Sequence, residues 1–296
     1  MLRHTLSLLA SAALLASAMT AHSAEIYSIA NDGRTLIRFN SATPGVVTTV
    51  GNFSGDTVTM SGMDFRPADG ALYGFNQATS GIYRIDITSG ATSLVSTSTT
   101  AIGSTTMGID FNPVPDRMRV VSTGDQNLRI NVATGAAIVD GTLAFAAGDP
   151  NAGANPNIID AAYTNHDIDP LTGTTLYYID SVLDILVSTL NPNGGVLNTI
   201  GALGVDTSNF TGFDIFTQAG VNTAYASLTT ANGVGLYTIN LATGAATLIG
   251  AINGQALDGL AVAPVPEPTT LALLALGGIA AVGVRRRSKV RTAAAA

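Results

Sequence analysis

Between residues 25 and 264 the apolar positions come in short runs, each rich in β-branched or aromatic residues and each bounded by Gly, Asn, Asp or Pro. Leu72-Tyr73-Gly74-Phe75, Ile82-Tyr83-Arg84-Ile85 and, after a Ser89-Gly90 turn, Ala91 to Val95 show the rhythm. Short runs punctuated by turn residues predict strands and hairpins. No window sustains apolar spacing at three and four residues, so no long amphipathic helix is expected in this region. The chain reads as all-β.

The runs belong to a larger period. Gly62-Met63-Asp64-Phe65-Arg66-Pro67 returns as Gly108-Ile109-Asp110-Phe111-Asn112-Pro113 and more loosely as Asn165-His166-Asp167-Ile168-Asp169-Pro170. It returns again as Gly212-Phe213-Asp214-Ile215-Phe216-Thr217 and Gly259-Leu260-Ala261-Val262-Ala263-Pro264, at starts separated by 46, 57, 47 and 47 residues. Four short strands in each such unit match one blade of a β-propeller, whose repeats run about 40–50 residues. Ile26 to Ile29, Leu36 to Phe39 and Val46 to Val50 supply the second to fourth strands of one further blade. Gly259 to Pro264 supplies its first strand, so the two ends close a five-bladed ring and leave no open edge. A two-sheet sandwich lacks so regular a unit, and β-helix repeats are shorter. A degenerate sixth blade has room in residues 142–165.

Composition bears on destination more than on fold. Arg3 and His4, an apolar run from Leu6 to Ala18 and the small residues around Ala21 to Ala24 form a secretory signal peptide over 1–24. The chain has no Cys, which excludes disulfides, thiolate catalysis and Cys-ligated zinc. Residues 25–264 hold seven Arg, no Lys and 19 acidic residues, a net charge of −12. Such a surface repels phosphate backbones, so nucleic acid is not an expected partner.

After residue 264 the pattern changes. Pro266-Glu267-Pro268 is followed by an apolar membrane helix over 269–284 and by Arg285-Arg286-Arg287. An apolar run capped by basic residues reads as a short membrane span with its basic end cytoplasmic. These three parts in this order, over 265–296, resemble the PEP-CTERM sorting signal of Gram-negative bacteria. The resemblance implies an exosortase as processing partner, transient anchoring in the inner membrane, and delivery to the envelope surface or beyond. Ile26 to Ile29, Gly62 to Ala68, Ala147 to Pro156 and Ala161 to Asn165 also resemble a secreted bacterial domain family of unknown function.

Candidate chemistry is sparse. Asp64, Asp110, Asp167 and Asp214 hold one position in four of the five units, and Ala261 holds it in the fifth. First strands line a propeller's channel, so these carboxylates approach the axis. They serve either as a cation site, for which calcium is the fitting ion, or as acceptors for backbone N–H groups of their own and adjacent blades. The longer third spacing reports an insertion before Asn165, expected at the channel mouth together with the links between second and third strands. Asp149, Asn151, Asn155, Asn157, Asp125 and Asp180 are the candidate ligand-binding residues there. His166, the only His beyond the signal peptide, is placed beside them as a strand-start residue. The expected role is a surface-sorted, non-catalytic binding or structural protein associated with exopolysaccharide. The alternative is a secreted hydrolase or lyase acting on glycans or lactones.

Overall fold

Five radial sheets form, with inner strands buried on both faces and outer strands largely exposed. The computed structural model describes residues 23–30, 33–54, 58–104, 106–166, 171–218, 220–254 and 256–264. The expected signal peptide, apart from Ser23 and Ala24, and the sorting segment with its expected membrane helix lie outside the described residues, as does Asp167. The first strands along the chain are β1 (Glu25–Ala30), β2 (Thr35–Asn40) and β3 (Thr43–Asn52). The second blade is β4 (Gly62–Phe65), β5 (Leu72–Asn76), β6 (Gly81–Ile85) and β7 (Thr92–Thr97). The third is β8 (Met107–Asn112), β9 (Arg117–Ser122), β10 (Asn127–Ile130) and β11 (Ala137–Val139).

A two-residue strand, β12 (Ala144–Phe145), precedes the fourth blade: β13 (Ile158–Tyr163), β14 (Leu176–Asp180), β15 (Ile185–Thr189) and β16 (Val196–Ala202). β12 adds to it in parallel along the outer edge of β16. The fifth blade is β17 (Thr211–Gln218), β18 (Val221–Thr230), β19 (Gly233–Ile239) and β20 (Ala246–Ala251). The last strand, β21 (Asp258–Val262), returns to pair antiparallel with β1 and completes the first blade. The protein is therefore a five-bladed β-propeller closed by its two ends, and the 142–165 stretch holds no sixth blade.

The core lies between blades. Tyr73, Phe75 and Ile82 of the second blade pack on Ile109, Phe111, Met118 and Val120 of the third. Tyr27 and Ile29 meet Met63 and Phe65 across the closing junction in the same way. Tyr27 with Phe65, and Tyr73 with Phe111, stand edge to face with centroids 5.7 Å apart. Inner strands are buried on both faces, which is why β4 and β8 read as nearly continuous apolar runs.

A second repeated device holds the rim. The turns between third and fourth strands open with Asp86, Asn131 or Asn240, whose side chains accept the N–H two residues on. Each turn closes on a glycine in the left-handed region, Gly90, Gly135 or Gly244. Gly135, at φ 72°, also presses on the outer strand of the preceding blade: a Cβ there would meet the Thr97 carbonyl oxygen at 1.9 Å. Gly135→Ala therefore combines backbone strain with a backbone clash. It is expected to cost about 1–3 kcal/mol, read as a lowered midpoint in urea unfolding.

The third motif copy is corrected by the structure. The inner strand of the fourth blade is Ile158–Tyr163, not the segment beginning at Asn165. Asp64 faces Tyr73 and Asp110 faces Arg119; the equivalent place opposite Tyr177 holds Ala162. Asp160 stands two residues earlier on the same strand face, opposite Ile179, where other blades carry Gly62 or Gly108. Burial on both faces selects the apolar run, and Asn165 and His166 fall in the hairpin beyond it.

Candidate functional site

The axial carboxylates form a relay of hydrogen bonds. Asp64 Oδ2 accepts the Phe111 N–H (2.9 Å), Asp110 Oδ2 the Tyr163 N–H (3.0 Å), and Asp214 Oδ2 the Val262 N–H (2.6 Å). Each bond joins one inner strand to the next. Asp160 does the same one step higher, accepting from Phe213 (2.7 Å). Where the preceding blade offers Ala261 or Ala162 at this level, the next carboxylate turns back on its own chain. Asp64 Oδ1 takes the Phe65 N–H and Asp214 Oδ1 the Ile215 N–H, both at 2.6 Å. Asp110 has no such option, because the Phe111 N–H is already held by Asp64. Its Oδ1 is buried without a partner.

Asp64, Asp110 and Asp160 are held toward the neutral form. Burial, then the charge of Asp214, pushes Asp64 up to about 8, against the opposing pull of His166 and two backbone N–H groups. Burial followed by Asp64 and Asp214 raises Asp110 well above the usual range, and burial raises Asp160 likewise. Among the described residues no three His, Asp or Glu side chains are grouped as a metal centre requires. Apart from Asp110 Oδ1, the axial carboxylate oxygens accept backbone N–H groups instead.

His166 lies at the other end of the axis from its expected place. It follows the C-terminal end of β13, whereas the mouth is formed at the N-terminal ends of the inner strands. Its Nδ1 accepts the Thr217 N–H (3.4 Å) and its Nε2 stands 3.7 Å from Asp214 Oδ1. Burial opposes the imidazolium, but the hydrogen bond and charge of Asp214, with Asp64 behind, outweigh it and leave the His166 pKa raised.

The insertion is also displaced from the mouth. Asp149 accepts the Thr199 N–H (2.6 Å) and hydroxyl (2.7 Å), and Asn151 donates to the same hydroxyl (2.9 Å). These bonds strap the segment to the outer strand β16, continuing the path of β12. Asn155 is exposed on this strap. Asn157 alone reaches inward: its N–H meets Asp180 Oδ2 (2.9 Å) and its amide meets Ser181 (2.8 Å) and Asn209 (3.1 Å). Asp180 also caps its own hairpin by accepting the Val182 and Leu183 N–H groups. Asp125 sits in the β9–β10 hairpin with Oδ1 buried and unpaired, and burial raises its pKa.

The mouth itself is a cavity of about 420 Å³ to which all five blades contribute. Gly33, Thr59, Met60, Ser61, Thr106, Met107 and Ile159 line one side, and Asn209, Phe210, Thr211, Asp258 and Gly259 the other. Phe210 is 52 % exposed, whereas the other eight phenylalanines are buried. Asp258, raised by burial, is the one carboxylate of this lining. Neither residue was singled out by sequence reasoning. The available signal was an aromatic in an otherwise polar link, Ser208-Asn209-Phe210-Thr211.

A family model described as a domain of unknown function (DUF4394) matches residues 35–261, and the PEP-CTERM protein-sorting motif matches residues 264–287. No curated protein matches the chain. Similar solved structures include a chain of a nidogen/laminin complex, 11 % identical with a TM-score of 0.49, covering 82 % of this chain and 98 % of that one. A protein of unknown function from Bacteroides thetaiotaomicron VPI-5482 is 14 % identical with a TM-score of 0.48, covering 72 % of this chain and 55 % of that one. Another from Bacteroides caccae is 7 % identical with a TM-score of 0.46, covering 82 % and 99 %.

Proposed function

Since the chain belongs to the DUF4394 family of domains of unknown function, we propose from its own geometry that it is a non-catalytic protein binding extracellular polysaccharide through the channel mouth. Its sorting motif indicates export and targeting to the envelope or surface, and implies processing by an exosortase. Transient anchoring in the inner membrane before release belongs to the same proposal.

The observation that carries the binding reading is the composition of the mouth. Hydroxyls from Thr59, Ser61, Thr106 and Thr211, the Asn209 amide, one carboxylate and one exposed aromatic converge on a rigid ring of inner strands. A concave site with a few polar groups and an apolar plate is suited to polyhydroxylated ligands. Hydrolysis of glycans ordinarily uses two carboxylates flanking the scissile bond. Here the mouth offers Asp258, and the carboxylates beneath accept backbone N–H groups that hold the ring together. This favours binding over cleavage.

The test is retention of the protein by purified exopolysaccharide from the producing cells, with reducing ends measured in parallel. Retention without new reducing ends is expected. Failure to be retained would overturn the reading, and accumulation of reducing ends would favour the hydrolase.

A further inference from the structure

Building on the polysaccharide reading, we infer that the mouth selects an electrically neutral glycan, with a sugar ring lying against Phe210 and ring hydroxyls donating to Asp258.

Phe210 departs from every other phenylalanine in the chain. The other eight fill the layers between blades, so apolar surface had a place to go, yet Phe210 remains half in solvent on the rim of a cavity. The face of an aromatic ring is negative and its edge positive. Pyranose C–H groups, which are weakly positive and grouped on one side of the ring, complement that face while their removal from water adds a hydrophobic contribution. The polar half of the same sugar needs acceptors and small donors. Asp258 is acceptor-only when ionised and can take two hydroxyls at once, and among the described residues nothing holds its carboxylate. Asn209, Thr59, Ser61 and Thr106 supply groups that both donate and accept.

Charge decides the class of glycan. A uronate or sulfate ester in this mouth would need a cation to replace its water, and the lining contains none. Arg34, next to Gly33, is already engaged in an interaction of its own. The net charge of −12 over residues 25–264 adds long-range repulsion. A neutral sugar meets none of these penalties. The cavity, at about 420 Å³, lies at the small end of ordinary ligand sites, roughly 300–1,000 Å³. It therefore takes a short stretch of chain, not a long one.

The experiment is calorimetric titration of the full-length protein in mild detergent with two panels. The neutral panel is cellohexaose, mannohexaose and galactohexaose; the acidic panel is hexagalacturonate and hexaguluronate. At least one neutral hexamer is expected to bind, with Phe210→Ala weakening it roughly tenfold, the scale of a lost aromatic contact. Asp258→Asn is expected to weaken it several-fold, and Phe210→Tyr to retain it. Phe210 is on the surface, so melting curves of its variants should match the parent and separate lost binding from lost folding. Equal or tighter binding of an acidic hexamer would overturn the neutral class while leaving the polysaccharide reading standing. Neutral binding that survives both Phe210→Ala and Asp258→Asn would overturn this placement of the ligand. Binding of neither panel would overturn the polysaccharide reading itself.

Discussion

Asp140→Asn is expected to lower the unfolding free energy by about 3–5 kcal/mol, the scale on which one partner of a buried ion pair is removed. Asp140 follows β11 with its side chain 4 % exposed. It accepts from Arg119 Nη1 (2.6 Å), from Arg129 Nε (2.7 Å) and from Arg129 Nη2 (2.8 Å). Arg119, only 2 % exposed, also donates to Asn127 (2.7 Å), to Asn193 (2.9 Å) in the fourth blade, and to the Tyr163 hydroxyl (3.2 Å) of β13. Removing the Asp140 charge leaves that guanidinium buried without a counter-ion at the junction of two blades. A domain with a total stability of about 5–15 kcal/mol has little to spare. Arg119→Met is expected to cost less, because it removes the charge and its desolvation together and leaves Asp140 paired to the part-exposed Arg129. Urea unfolding of the two variants checks the order. If Asp140→Asn stays within about 1 kcal/mol of the parent, the pair does not hold this junction.

Asp110→Asn is expected to stabilise the protein at neutral pH and to match it in acid. In the folded state burial and neighbouring carboxylates keep the Asp110 proton on, while an unfolded aspartate releases it above 3.8. A folded pKa raised above the unfolded value means that stability is greatest below 3.8 and falls as pH rises toward the folded value. Asp64 acts with the same sign between 3.8 and about 8. His166, raised from 6.5, contributes stability in acid that is lost as pH rises through its folded value. The parent is therefore expected to melt highest in mild acid and progressively lower toward pH 8. Asn at 110 presents its oxygen to the Tyr163 N–H and its NH₂ where the unpartnered Oδ1 now lies. Since Asn cannot ionise when unfolded, the gap from the parent should widen by up to about 1.4 kcal/mol per pH unit above 3.8. Asp64→Asn is the contrast: both its oxygens accept backbone N–H groups, so an NH₂ must oppose one of them and the variant should start below the parent in acid, with a deficit that narrows as pH rises toward about 8. Melting curves from pH 4 to 8 test both, and a constant offset for Asp110→Asn would sink the argument.

The propeller is legible because its inner strand is constrained from every side. Gly62 to Phe65, Gly108 to Phe111 and Gly212 to Ile215 are buried on both faces and carry a carboxylate aimed at a neighbouring amide, so the same pattern recurs wherever the geometry does. That regularity also explains the misplaced copy. His166-Asp167-Ile168 imitates the motif locally, whereas the actual strand, Ile158–Tyr163, moves its carboxylate two places to Asp160 and puts Ala162 in the usual position. Only pairing with β14 distinguishes the two, and that register is a tertiary fact. The strap from Asp149 is hidden for a similar reason: its anchor, Thr199, is fifty residues away. The mouth was less legible: of the links between second and third strands expected there, only the one at Gly33 supplies a lining residue. Its most distinctive member, Phe210, stood in a link where composition drew attention to amides and carboxylates instead.

The closing pair β21 and β1 has a directional consequence. The mouth includes Asp258 and Gly259, at the start of β21, while Val262, at its end, pairs with Ile26 near the start of β1. Both termini thus leave the ring through the floor, on the side away from the mouth. Two residues separate Val262 from the start of the Val-Pro-Glu-Pro stretch, so the sorting motif is joined to the propeller on the side away from the mouth.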